Sequence, residues 1–324
     1  MNCSGCYRPN IEGYCLDCRK ELFGGLRIGN KLSFDMPKAG NLPEYQAKTA
    51  RLSISGVQLK YSLRLENGQL ALVEKGGQYI LKPIPPSKLI IAPEEAPENE
   101  HLTMQMASKV FGIRTASNAL IYFNDGAPAY ITKRFDVMPD GGKYQQEDMA
   151  QISGRSKQTH GEHFKYDGSY EDIGLLIKKH VAAYLPAQEI LFKTVLFNYL
   201  FSNGDAHLKN FSLIRTDEGD YIMSRAYDLM STVLHTPNES DVALDLYAGD
   251  VHSAHYSKYG SYGRSSFLEL AKRLELMPKR AERMMDAMLS KQERIKQMVD
   301  ESLLGEKMKA IYFSNYVEKA KRLQ

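Results

Sequence analysis

Ser202-Asn203-Gly204-Asp205-Ala206-His207-Leu208-Lys209-Asn210 ends a strongly apolar segment and reads as a turn-rich loop. An apolar run from Phe211 to Ile214 follows, then a turn at Asp217-Glu218-Gly219, a second run from Tyr221 to Met223, and Asp228 in Tyr227-Asp228-Leu229-Met230. An aspartate, an asparagine, a short hairpin and a second aspartate, in that order, form the set that phosphoryl transfer needs. Asp205 is the residue to orient or deprotonate a hydroxyl nucleophile. Asn210 and Asp228 supply hard oxygens for Mg²⁺ on the phosphates. The loop lacks the His-Arg-Asp and Asp-Phe-Gly spelling of ordinary protein kinases, so the sequence predicts an unusual catalytic lobe.

Upstream, Arg51 to Lys60 leads into alternating residues from Tyr61 to Leu65. Asn67-Gly68 is a hairpin signal, and Leu70 to Val73 is the returning strand. A third strand, Tyr79-Ile80-Leu81-Lys82, stops at Pro83. The Pro-rich stretch to Pro97 reads as a loop. A helix is predicted from Pro97 to about Phe111, with Glu98 and Glu100 near its positive N-terminus and Gly112 at its stop. Leu120 to Phe123 and Tyr130 to Phe135 form a second hairpin across Asp125-Gly126. Lys82 on a third strand, followed by a helix bearing Glu100, is the layout in which a strand lysine holds ATP phosphates and pairs with a helix glutamate. Alone, Lys82 would read as a solvated strand end; in register with the rest it reads as functional.

The 324 residues are 43% hydrophobic and 25% charged, with a net charge of +3. That balance is ordinary for a globular protein and too weakly basic to argue nucleic-acid binding. The most apolar stretch, Ile190 to Phe201, is interrupted by Lys193 and Asn198, so a membrane span is not expected and the cytoplasm is the expected compartment. The four cysteines form Cys3-x-x-Cys6 and Cys15-x-x-Cys18. Two such knuckles aim four thiolates at one point, which favours a structural Zn²⁺ over disulfides or free thiols. The small module is suited to capping a lobe or contacting a partner.

Beyond Phe135 the pattern turns helical. Helices are expected at Gln146 to Gln151, Tyr170 to His180, from Pro186 into the catalytic loop, and at Ser265 to Leu276, Pro278 to Met298 and Glu301 to Arg322. Met284, Met285, Met288, Ile295 and Met298 mark an apolar stripe that reads as core rather than as a partner groove. His160-Gly161-Glu162-His163 lacks the spacing of a helical metal site, and His252 and His255, three residues apart, have no evident third ligand; both read as structural or exposed. Tyr256, Tyr259 and Tyr262, in a Gly/Ser-rich stretch, read as a surface loop.

Assembled, these residues resemble the HipA family of bacterial toxin serine/threonine kinases over roughly Leu52 to Leu246. The likeness rests on Ser53-Ile54-Ser55-Gly56-Val57-Gln58-Leu59-Lys60, Ile80-Leu81-Lys82-Pro83, Glu98-Asn99-Glu100, Lys133-Arg134-Phe135-Asp136, Gln146-Glu147-Asp148-Met149, Asp205 to Ser212, and Tyr227-Asp228. The resemblance implies an α+β, two-lobed protein-kinase-like fold. Its expected parts are a Cys-rich segment (1–25), a small β-rich lobe (26–136) and a helical catalytic lobe (137–324).

It further implies that Asp205 is catalytic, that Asn210 and Asp228 bind Mg²⁺, and that Lys82 contacts ATP phosphate. Ser55, Gly56, Val57, Gln58 and Lys60 would form a loop over the phosphates, where small residues let backbone amides approach closely. Lys133, Arg134 and Phe135 would be the hinge to adenine, with Lys133 standing where an acid is common in the family. His207, Lys209 and Tyr227 would complete the nucleotide contacts. Ser53 and Ser55 match the family's autophosphorylation position, where added negative charge would repel nucleotide.

The long family form carries an extra N-terminal subdomain larger than Met1 to Arg51 can encode, so this chain resembles the short form. The implied partners are a helix-turn-helix antitoxin, through which DNA would be met indirectly, and a small separate protein equivalent to the extra subdomain. The implied substrate is an aminoacyl-tRNA synthetase. Two other classes stay open: a degenerate kinase-fold interaction protein, against which Lys82, Asp205, Asn210 and Asp228 all argue, and a small-molecule or lipid kinase.

Overall fold

The computed structural model describes residues 2–36, 59–86 and 90–324. Ser53, Ser55, Gly56, Val57 and Gln58 lie outside the described residues. The chain opens with the cysteine-rich segment and helix α1 (Leu16–Phe23). An antiparallel sheet follows: β1 (Tyr61–Glu66), β2 (Gln69–Leu72), β3 (Tyr79–Pro83), β4 (Asn118–Tyr122) and β5 (Pro128–Lys133), in the order β2-β1-β3-β5-β4. Asn67 and Gly68 both take positive φ, 50° and 79°, so the β1–β2 hairpin closes through a two-residue turn whose twist matches its strands. Lys82 pairs in register with Tyr130 near the end of the central strand β3.

Helix α2 (Ala96–Gln105) runs on through a wider turn, Met106–Val110, and is buried along its whole length. Its neighbours on one side are β4 and β5, and on the other the helical lobe. That lobe contains α3 (Tyr170–His180), α4 (Tyr184–Leu200), α5 (Arg264–Arg273), α6 (Pro278–Leu289), α7 (Gln292–Glu301) and α8 (Glu306–Arg322). A second antiparallel sheet sits beside it: β6 (Gln146–Asp148), β7 (Ser212–Arg215) and β8 (Tyr221–Met223).

The structure corrects four sequence readings. Gln146 to Gln151 is not one helix: Gln146–Asp148 is a strand on β7, and Asp148 then caps a single helical turn, Met149–Ile152. The cross-strand partner, more than sixty residues away, overrides local propensity. Pro278 to Met298 is two helices, broken where Lys291 turns its ammonium onto the Val110 carbonyl at 2.6 Å. The last helix begins at Glu306 rather than Glu301. Tyr262 is buried, and its carbonyl accepts the Tyr199 hydroxyl at 2.7 Å, while Ala254–Tyr259 is a short helix. The methionine stripe is core: Met285, Met288, Ile295 and Met298 are buried.

Two apolar cores divide the molecule. Cys3, Cys15, Cys18, Leu22 and Phe23 share one with the five-stranded sheet. The other joins α2 to the helical lobe and centres on aromatics such as Phe111, Phe197 and Phe201, whose ring centroids lie 4.5–5.6 Å apart. Large buried aromatics of this kind supply most of a core's transfer free energy. Among the described residues no helix is long and apolar enough to cross a membrane.

Candidate active site

Helix α4 is apolar nearly all round and ends beneath the loop it delivers. Its buried Asn198 accepts the Asn203 amide at 3.0 Å, which explains a polar residue in an otherwise apolar helix. Ser202 turns the chain with φ 52°, a conformation costly for a side-chain-bearing residue. The Gly204 amide donates to the Thr232 hydroxyl at 2.8 Å, and the Tyr170 hydroxyl donates to the Ala206 carbonyl at 2.9 Å. Asn210 accepts the His207 amide at 3.0 Å. The loop is fixed before any ligand arrives.

It opens onto a cleft of about 990 Å³ between the lobes, lined by Lys60, Lys82, Glu100, Lys133, Arg134, Phe135, Asp205, His207, Lys209, Asn210, Tyr227 and Asp228. Every described site residue expected from the sequence for nucleotide, Mg²⁺ or catalysis lies in this wall.

At its centre, the Lys82 ammonium reaches Asp228 at 2.6 Å and also the carboxylate of Glu100. Lys60 donates to the other Asp228 oxygen at 3.2 Å. Burial works against the Lys82 charge, but Asp228 and Glu100 outweigh it and hold its pKa above the ordinary lysine value. Burial likewise opposes the Asp228 charge, yet Lys60 and Lys82 hold that carboxyl well below the usual range. Asp228 sits at φ 55°, a second strained backbone in the same site.

Asp205 lies across the cleft and is about half exposed, with 51% of its side chain open to solvent. It accepts the Tyr166 hydroxyl, and Lys165 and His207 approach to 3.9 Å. Burial pushes His207 down to about 4, against the pull of Asp205, so its ring is neutral near pH 7. The Lys133 and Arg134 amides are already taken by Ser117 and Gln78, and the Arg134 guanidinium is paired with Asp136. Phe135 stands 5.9 Å from the Tyr227 ring, and the Tyr227 hydroxyl donates to the Lys209 carbonyl.

Three contributors had no site role assigned from the sequence. Asn99 on α2 donates to the Ser231 carbonyl at 2.9 Å and accepts the Ser231 amide at 3.1 Å, tying the Glu100 helix to the Asp228 loop. Tyr166, from an exposed turn, covers Asp205. Glu239 accepts the Thr232 hydroxyl and the Gly204 amide beneath the catalytic loop. Only Asn99 carried a signal, its place beside Glu100.

A family model for the HipA-like C-terminal domain matches residues 52–295, most of the chain and the whole of this cleft's catalytic wall. The chain belongs to this family. Among relatives of this HipA-like chain, a Haemophilus influenzae protein provisionally named a kinase is 28% identical over 275 residues, spanning 79% of the chain and 77% of the relative. A Sinorhizobium fredii protein, provisionally named kinase Y4dM, is 30% identical over 253 residues, spanning 73% of the chain and 57% of the relative.

Two solved structures share the fold. One is the Shewanella oneidensis toxin–antitoxin complex of HipA, HipB and operator DNA, with a TM-score of 0.62 at 21% identity over 89% of this chain and 71% of that one. The other is the Helicobacter pylori proinflammatory kinase CtkA, with a TM-score of 0.52 at 13% identity over 81% and 90%. The two-lobed α+β kinase-like architecture expected from the sequence is therefore the observed one, and the family and the relatives' names support a kinase.

The four cysteines of this HipA-like chain also converge. Their sulfurs lie within 4.8 Å of one another, with Cys3–Cys18 and Cys6–Cys15 at 3.8 Å. Zinc–thiolate bonds of about 2.3 Å place the corners of a tetrahedron about 3.8 Å apart. The Gly5 and Cys15 amides point at the Cys3 sulfur (3.4 and 3.2 Å) and the Cys18 amide at the Cys15 sulfur (3.5 Å), donors that suit thiolates. A Cβ on Gly5 would sit 2.7 Å from the Cys18 sulfur, so the first knuckle requires glycine there. The donor set fits a closed structural zinc site.

Proposed function

We propose that the chain is an ATP- and Mg²⁺-dependent serine/threonine protein kinase, the toxin of a toxin–antitoxin system of the HipA type. The observation that carries this reading is Lys82 bridging Glu100 and Asp228 in a cleft that also presents Asn210 and Asp205. Lys82 is held charged where phosphate oxygens would lie, and Lys60 adds a second cation. Asn210 and Asp228 offer hard oxygens of the kind Mg²⁺ takes, and that ion, when bound, would neutralise charge on the phosphates. Asp205 is placed at the open side of the cleft to orient an incoming hydroxyl and receive its proton. Phe135, Tyr227 and the 133–135 hinge would border the adenine, with His207 and Lys209 completing the nucleotide contacts.

The remaining parts follow from the family likeness. The loop from Ser53 to Lys60 would close over the phosphates, with Ser53 and Ser55 as autophosphorylation sites and Ser55, Gly56, Val57 and Gln58 near nucleotide. The substrate would be an aminoacyl-tRNA synthetase. The partners would be a helix-turn-helix antitoxin and a small protein equivalent to the family's N-terminal subdomain, and the compartment the cytoplasm. The division into 1–25, 26–136 and 137–324 is the working domain scheme, with Cys3, Cys6, Cys15 and Cys18 holding structural Zn²⁺.

Purified protein incubated with labelled ATP, Mg²⁺ and cell lysate tests the reading, with intact mass recorded beforehand. Label should enter protein serine or threonine with the wild type and fall to background in Asp205→Asn and Asp228→Ala. An unphosphorylated wild type that neither binds ATP nor transfers phosphate would refute it.

A further inference from the structure

The cysteine module touches both elements that carry the Lys82–Glu100 ion pair. In its first knuckle Tyr7 is held at φ 62°, with its amide on the Cys3 carbonyl at 2.9 Å and its buried ring 5.0 Å from that of His101. His101 is the residue after Glu100, and its Nδ1 meets Asn118 on β4 at 3.0 Å. The same knuckle pairs with β4, the edge strand of the sheet. The Leu120 amide donates to the Ser4 carbonyl at 2.8 Å, and its carbonyl accepts the Tyr14 hydroxyl at 2.7 Å. On the other side, Tyr79 at the start of β3 donates to the Leu22 carbonyl at 3.0 Å and packs 5.7 Å from Phe23. β3 carries Lys82, and α2 carries Glu100.

We propose that the metal held by Cys3, Cys6, Cys15 and Cys18 is the clamp that docks α2 against the sheet carrying β3 and so assembles the Lys82–Glu100 pair. This rests on the zinc reading of the four thiolates. A segment this short cannot bury a core of its own, and segments below about 40 residues ordinarily need a metal or disulfide to hold shape. Without the ion, four thiolates 3.8–4.8 Å apart repel or must take up protons, and the knuckle loses the geometry that presents Tyr7, Ser4 and Tyr14. α2 then keeps its contacts to the helical lobe but loses those that fix its N-terminal half to the sheet. The nucleotide site is thereby made conditional on the thiols, and an oxidant or mercurial that takes the cysteines disables the kinase from outside the cleft.

The test uses the full chain. A mercurial titration with a zinc-reporting dye should release one zinc per chain, and cobalt substituted for it should give the visible absorption of a tetrahedral thiolate site. Amide hydrogen exchange is then compared between loaded and stripped protein, with Mg²⁺ present in both. Stripping should accelerate exchange across 97–105 and 118–122 and leave 184–200 unchanged. If about a tenth of molecules stay docked, ATP affinity falls about tenfold.

Zinc that is present but whose removal changes neither exchange nor ATP affinity overturns the clamp and leaves the metal site standing. Protein that binds no metal overturns both. Exchange is read without phosphoryl transfer, so its outcome is separate from the kinase assay. Should stripping unfold the chain, Tyr7→Ala keeps all four thiols. It should retain zinc while loosening 97–105 and weakening ATP, and unchanged exchange there overturns the proposal.

Discussion

The two aspartates that face each other across the cleft are held in opposite ways. Asp228 is pinned by two lysines and a left-handed backbone, on a loop tied to α2 through Asn99 and Ser231. Glu100, the other carboxylate on Lys82, has 1% of its side chain exposed. Asp205 is half exposed and touched by a tyrosine from a surface turn and by side chains at 3.9 Å. On the proposed reading, the nucleotide side would be built in advance from buried charge, and the acceptor side left open. Preorganised charge is worth most where charge must be stabilised, while a protein acceptor needs an approach that a buried aspartate would not give.

The sharpest way to break this contrast is to remove one charge from each side. Lys82→Met leaves Glu100 buried beside Asp228 with no cation within bonding distance except Lys60 on Asp228. Removing one partner from a buried ion network costs about 3–5 kcal/mol, so this variant should lose transfer, bind ATP poorly and unfold at markedly lower denaturant. Asp205→Asn removes a solvated charge of similar catalytic weight. It should cut turnover by about 10²–10⁴ while changing stability by no more than about 0.5 kcal/mol. Urea unfolding of the two variants beside the wild type checks the difference, and equal destabilisation would erase the contrast.

The same contrast governs what the sequence revealed. Asp205, Asn210 and Asp228 line one cleft, a grouping the sequence led one to expect because Mg²⁺-phosphate chemistry would ask for these residue types and the intervening hairpin sets their spacing. Lys82 and Glu100 were legible because a β3–helix order brings them together. Tyr166 and Glu239 were not, since neither residue type is required by the chemistry and both reach the site from turns. The strand at Gln146–Asp148 was misread for a related reason: three residues hold no periodicity of their own, and their partner β7 is remote in sequence. The break at Ser290-Lys291 carries neither Gly nor Pro, and the apolar stripe runs through it, so nothing local announces it.

Glu98 sharpens the comparison from within α2. Two residues before Glu100 and also buried, it has no cation paired with its carboxylate among the described residues, and one of its oxygens lacks a hydrogen bond. Burial, and then Glu95, push its carboxyl up to about 8 from an ordinary 4.5. Because the folded pKa is raised, the folded state binds its proton more tightly than the unfolded chain. The cost is absent below about pH 4.5 and grows as pH rises toward 8. Glu98→Gln should therefore melt close to the wild type at pH 5 and higher than it at pH 8.5, by about 2–4 kcal/mol. A stabilisation of equal size at both pH values would show that the carboxyl is not protonated by burial.

The smallest effect expected is at Tyr166. Its hydroxyl donates to an Asp205 oxygen, and burial together with Asp205 pushes its pKa up, so it remains a donor at working pH. On the proposed reading, an incoming hydroxyl would have to take that place before Asp205 could receive its proton. Tyr166→Phe keeps the ring over His207, whose centroid is 5.2 Å away, and removes the competing donor. A half-exposed hydrogen bond to a carboxylate is worth about 0.5–1 kcal/mol net, so kcat/KM for the protein acceptor should rise about two- to fivefold with ATP affinity unchanged. A fall in kcat with unchanged ATP affinity would reverse the assignment: the tyrosine would then be what holds Asp205 in its working rotamer, and the acceptor side would be less open than its exposure indicates.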